Sequence, residues 1–184
     1  MSRFILFMSA MLILSLPAAA QHAMPYAGQQ DREIKALSEQ EVADLLAGRG
    51  MGLAKAAELN SYPGPLHALD MWEALGLDPR QVAALEDQQR RMTAAAIALG
   101  RQIVAAEREL DRLFAERRID ASEIETRSEE IGRLQGRLRA VHLATHLETR
   151  ATLSDAQVRR YDELRGYGGM PASGARQPQH RHKH

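Results

Sequence analysis

Between residue 79 and about residue 117 the apolar positions follow one another at steps of three and four. They are Val82, Leu85, Met92, Ala96, Leu99, Ile103, Ala106, Leu110 and Leu113, with Gln89 as the polar member of the series. A helix gathers such a series into one seam, whereas a strand scatters it over two faces. A helix of that length spans about 60 Å, so it needs a long partner to cover its seam. The partner follows at once. RRID, residues 117 to 120, interrupts the pattern, and Asp120 with Glu123 offers a capping pair. Ile124, Ile131, Leu134, Leu138 and Val141 then mark a second seam, running to about Ala151. A connection this short places its two helices antiparallel.

The open ends of this hairpin carry one repeated phrase, GLDPRQ at 76 to 81 and TLSDAQ at 152 to 157. Asp78 and Ser154 are placed as caps, and Pro79 fits the first helical position. Gln81 and Gln157 can reach back to the cap backbone, with Leu77 and Leu153 as hydrophobic staples. Upstream, HALDMWEAL reads as one short amphipathic helix ending at Gly76. SEQE starts another at Ser38 that stops at Gly48; GRGMGL is a turn, LAKAAELN a brief helical stretch, and SYPGP a firm break. The expected fold is all-α: a long antiparallel helical hairpin with short flanking helices. A two-helix layer buries little surface, so a homodimer is the simplest way to cover the seam.

Residues 1 to 20 read as a signal peptide. Arg3 gives the positive start, FILFMSAMLILSL the apolar run, and PAAA a small-residue cleavage site near Ala20. No Cys is present to carry a lipid, and the apolar run is short for a membrane span. A periplasmic location follows. Residues 21 to 64 then form an N-terminal arm with short helices, 65 to 167 the hairpin domain, and 168 to 184 a disordered His-rich tail. The tail either binds metal weakly or is a solvated basic end. Formal charge is balanced, at 24 basic against 24 acidic residues, which argues against a nucleic-acid binder.

Of the seven His, two stand out. VHLATHLE sets His142 and His146 four apart on one helix face, the spacing by which a helix offers two imidazoles to one ion. Two solvated surface His would give the same pattern. Folding the hairpin near residue 118 brings His146 level with residue 91, and folding the short helix back at Leu77 brings His67 level with residue 88. Met71 and Met92 lie at similar levels, as ligands or as core filler. Imidazoles with a thioether suit a Zn, Ni, Co or Cu ion rather than Mg or Ca.

Two capped LTxxQ-like phrases, here LDPRQ and LSDAQ, flank a long helical hairpin behind a signal sequence. Over residues 65 to 167 this resembles the Spy/CpxP group of periplasmic proteins and its heavy-metal-resistance and metal-sensor branch. GRGMGLAKAAELN and RYDELRGY look like the metal-sensor branch. The resemblance implies a homodimer of interlocked hairpins and a role in metal or envelope stress. It also implies metal ligands from helices, with His142 and His146 matching a His pair and His67 with Met71 matching a His-x-x-x-Met pair.

Three functions fit these sequence features. The first is a metal-binding protein that reports to a membrane signalling partner or buffers the ion. The second is an ATP-independent chaperone whose clients are unfolded envelope proteins, held beside Arg90, Arg91, Arg101, Arg108 and Arg112. The third is a coiled coil that binds one partner helix. An enzyme is not expected, because no nucleophile motif, phosphate loop or paired carboxylates occur.

Overall fold

The structure, a computed structural model, describes residues 24 to 167. The expected signal peptide and His-rich tail lie outside them. The chain divides after Asp31. The described residues of the small first unit are turns.

From Arg32 onward the described chain is built of helices. These are α1 (Glu39–Ala47), α2 (Lys55–Glu58), α3 (Pro65–Asp70), α4 (Trp72–Leu75), α5 (Pro79–Ala115), α6 (Ala121–Thr152) and α7 (Asp155–Leu164). No helix among the described residues is long and apolar enough to cross a membrane. The hairpin is present as expected. α5 ends at a turn in which Arg117 takes a left-handed φ of 55°, and the Asp120 side chain caps α6 by accepting the Glu123 N–H.

The seams are broader than the sequence suggests. α5 buries Leu85, Gln88, Ala96, Leu99, Gly100, Ile103, Val104, Glu107 and Leu113. The buried polar residues are therefore Gln88 and Glu107, and Gln89 is only partly buried. Gln88 donates to Thr152 Oγ1 at 2.9 Å and accepts from Thr149 Oγ1 at 3.0 Å, so it is satisfied. The extra width exists because α5 is packed on two sides, by α6 and by α1. Ile34 and Leu45 from the N-terminal segment join Leu99, Ile103, Leu134 and Leu138 in one core cluster. The backbones touch at Gly100, where an added Cβ would sit 2.0 Å from the Leu45 carbonyl oxygen. Residues 32 to 47 are thus held firmly on the hairpin.

The α6 seam runs Ile131, Leu134, Leu138, then His142, Thr145 and Thr149. Its apolar half faces the closed end of the hairpin, and its second half is polar. Ile124 stays 42 % exposed, outside the seam.

At the open end α3, α4 and α7 surround a second cluster of Ala68, Leu75, Leu77, Leu85, Leu153 and Tyr161. The repeated phrase finds its explanation there. Both capping boxes are formed, and they grip each other. Gln81 Nε2 donates to Gln157 Oε1 at 2.9 Å, and Gln157 Nε2 donates to Gln81 Oε1 at 3.0 Å. Each amide also donates to the carbonyl before the opposite staple leucine: Gln81 to Thr152 at 3.0 Å and Gln157 to Gly76 at 3.3 Å. Each Gln→Ala change is expected to cost about 1.5 kcal/mol through a lost cap bond and stranded partners. The double variant should fall short of additivity by about 1 kcal/mol. Urea unfolding of the four proteins in the cycle measures this; strict additivity would mean that the caps act separately.

One expected helix is two. HALDMWEAL breaks at Met71, where φ is −116° and ψ 21°, and neither Gly nor Pro marks the break.

A candidate metal centre at the polar half of the hairpin

The polar half of α6 opens onto a cavity of about 670 Å³. Its walls come from α5 through Gln89 and Met92, from α6 through His142 and His146, and from α3 through His67. Glu58 of α2, Arg165 beyond α7 and the turn carrying Met51 complete it. The structure therefore brings three of the four expected ligands, His67, His142 and His146, to one cavity.

Met71 packs against the open-end apolar cluster and is not among the residues that line the cavity. A His-x-x-x-Met pair needs a continuous helix to share a face. α3 ends at Asp70, so the pair with His67 is not presented. Met92, in the α5 seam, lines the cavity, as does Met51.

His142 is 2 % exposed, and its Nε2 makes no hydrogen bond within the described chain. Burial, and secondarily the charge of His146, holds its pKa below the ordinary 6.5, so the ring is neutral at pH 7. His146 is positioned by the SYPGP break. Its Nδ1 lies 2.8 Å from the Tyr62 carbonyl, which can only accept, so Nδ1 carries the proton and Nε2 is the nitrogen left to ligate. Gly64 lies against the other edge of the ring, since a Cβ there would come within 2.9 Å of Cε1 and Nε2. His67 sits at the rim, with a 43 % exposed side chain 3.6 Å from Asp70.

Glu58 is a cavity residue that the sequence pattern does not single out. Its Oε1 accepts from Tyr161 Oη at 2.6 Å and from Tyr167 Oη at 3.2 Å. Burial first, then that bond to Glu58, drives the Tyr161 pKa well above the ordinary phenol value, so Tyr161 remains the donor. Glu58 Oε2 is 3.7 Å from His146 Nδ1 and makes no hydrogen bond. Gln89 Oε1 is buried and unbonded as well, and Arg165 Nε makes an ion pair with Glu58 Oε1 at 3.4 Å; both residues line the cavity. Native interiors leave few polar atoms buried and unbonded.

Among the described residues no three His, Asp or Glu side chains converge closely enough to hold one ion by themselves. The cavity thus offers two imidazoles on one helix face, with further donors spread around its walls. The chain matches no family model, no curated protein and no solved structure at a significant level.

Proposed function

We propose that this chain is a periplasmic transition-metal-binding protein of the Spy/CpxP and heavy-metal-sensor type, acting in metal or envelope stress rather than in catalysis. The observation that carries the reading is His142, a buried imidazole with an unbonded Nε2, which lines one cavity together with His146 and His67. Leaving such a nitrogen unpaired costs about 1–3 kcal/mol, and a metal ion is the partner that an i,i+4 imidazole pair suits best. The Tyr62 carbonyl on His146 Nδ1 supports it, since outer-shell partners of this kind fix the tautomer that ligates. Zn, Ni, Co and Cu are the ions these donors favour. Homodimerisation through the hairpins and a membrane signalling partner belong to the same proposal. A bound ion would draw α3, α5 and α6 together and so favour one arrangement of the open end.

The test is calorimetric titration of these ions into the chain with His180, His182 and His184 changed to Ala, which removes the tail from the count. Saturable binding of one ion per chain, lost in His142→Ala and His146→Ala, is the expected result. Binding that survives both changes, or none tighter than about micromolar, would sink the reading.

A second reading, an ATP-independent chaperone, is favoured by one observation. Ala56, Ala57, Tyr62, Leu143 and Leu147 line a shallow apolar groove between α2 and α6, and Leu147 is 61 % exposed. Suppression of client aggregation without metal, weakened by Leu147→Glu, is its signature.

A further inference from the structure

We infer that the ion this cavity selects is monovalent copper, held by the thioethers of Met51 and Met92 together with His142 and His146. The inference rests on the metal-binding reading above and narrows it to one oxidation state and one ligand type.

The first observation is the donor census. The described chain does not offer three converging His or carboxylate ligands, which is what Zn, Ni or Co would need from the protein. A soft ion of low coordination number is content with two imidazoles and sulfur. The cavity has methionines on two walls, Met92 from α5 and Met51, 43 % exposed, from the turn after α1. The chain contains no Cys, so thioethers are the soft donors it possesses.

The second is the backbone at Met51. The stretch is GRGMG, with Gly50 and Gly52 on either side. Met51 nevertheless takes a left-handed φ of 48°. Glycine adopts that conformation freely and a long side chain does not. The position therefore carries a side chain against its backbone preference, and such strain gathers where a side chain has a task. Gly48, also left-handed, is pinned on α5, where its Cβ would lie 3.0 Å from the Thr93 carbonyl and the Ile97 side chain. The Met51 turn is thus tethered three residues away, beside the segment of α5 that bears Met92.

The third is charge. Arg165 and Glu58, the single carboxylate of the lining, are paired at 3.4 Å, and Lys55 adds a further positive charge to the wall. Arg49 also lines it, paired with Asp44 at 3.3 Å. A wall of this balance repels a dication twice as strongly as a monocation. Thioether ligands add no negative charge to offset that, so the monovalent ion is the one the wall tolerates.

The experiment uses the full chain with His180, His182 and His184 changed to Ala. Cu(I) is titrated without oxygen against a chromophoric chelator, with Zn(II) and Ni(II) titrated in parallel. X-ray absorption of the Cu(I)-loaded protein reports whether sulfur is bound. The expected result is Cu(I) binding with sulfur scattering. Met51→Leu with Met92→Leu should weaken Cu(I) by roughly 100-fold or more, beyond the usual effect of outer-shell changes, while circular dichroism and any Zn(II) binding stay as they were. Cu(I) bound by nitrogen alone, or untouched by the double change, overturns this inference and leaves the metal-binding reading standing. Divalent ions bound with no Cu(I) does the same. Failure of every ion, Cu(I) included, overturns both.

Discussion

Gly100→Ala is expected to destabilise the protein by about 3 kcal/mol, the upper end of what overpacking costs. The reason lies in what an added methyl would meet. The Leu45 carbonyl oxygen is 2.0 Å from the Cβ position and the carbonyl carbon 2.6 Å. These are backbone atoms, so no rotamer change makes room, and α1 must lift from α5. That lift would expose Leu45 and Ile34, which are 6 % and 3 % accessible, and would carry Gly48 and the cavity's Met51 wall with it. Urea unfolding reads the loss, and amide exchange over residues 34 to 59 locates it. Gly132 and Gly136 of α6 are the internal controls, because a Cβ at either meets nothing within 4 Å. Ala at those sites should stabilise by about 0.5–1 kcal/mol through helix propensity alone. Equal effects at all three positions would show that the Gly100 contact is not a constraint.

His142→Leu should move stability the other way. Leucine fills a similar volume and removes a buried nitrogen with no partner, so the metal-free protein should gain about 1 kcal/mol at pH 7. The gain should grow below pH 6.5. The folded-state pKa of His142 lies under 6.5, so as pH falls through that value the unfolded chain binds a proton that the folded chain refuses. Stability then drops with pH in the parent protein, and the Leu variant lacks this contribution. The same variant should lose stabilisation by metal, which for the parent is about 2.7 kcal/mol when free metal is 100-fold above Kd. Thermal unfolding in chelator, at pH 5 to 8, then with metal, measures all of this. A variant less stable than its parent at every pH would make His142 an ordinary core residue.

The long helices were legible in the sequence because their signals are local or periodic. Asp78, Ser154 and Asp120 each announce a helix start within four residues. Of the expected α5 seam, Leu85, Ala96, Leu99, Ile103 and Leu113 are buried. Its width was not legible, because docking by α1 is a contact between distant segments. Gly100 inside a helix reads in sequence merely as a weak helix former. The α6 seam was placed at Val141 where the helix buries His142, a drift of one position that hid the most informative histidine's burial. The level of His67 follows from residue counts along the hairpin axis, which hold while the elements run straight. Met71 leaves the helix of His67 because that helix breaks there, with no Gly or Pro in the sequence to mark it. Glu58 was invisible. It comes from a four-residue helix with no periodicity, and its place is set by two tyrosines a hundred residues away.

The mutual grip of Gln81 and Gln157 has a consequence for how such a chain can change in length. The two arms leave one clasp, meet at the turn around Arg117 and must return to the clasp in step. A single inserted turn in either arm would carry one glutamine past the other and part both amides from the opposite carbonyls. Lengthening is therefore permitted as matched heptads, one in each arm. The clasp works as a ruler, and it makes equal arm length, rather than any particular length, the quantity that the molecule enforces.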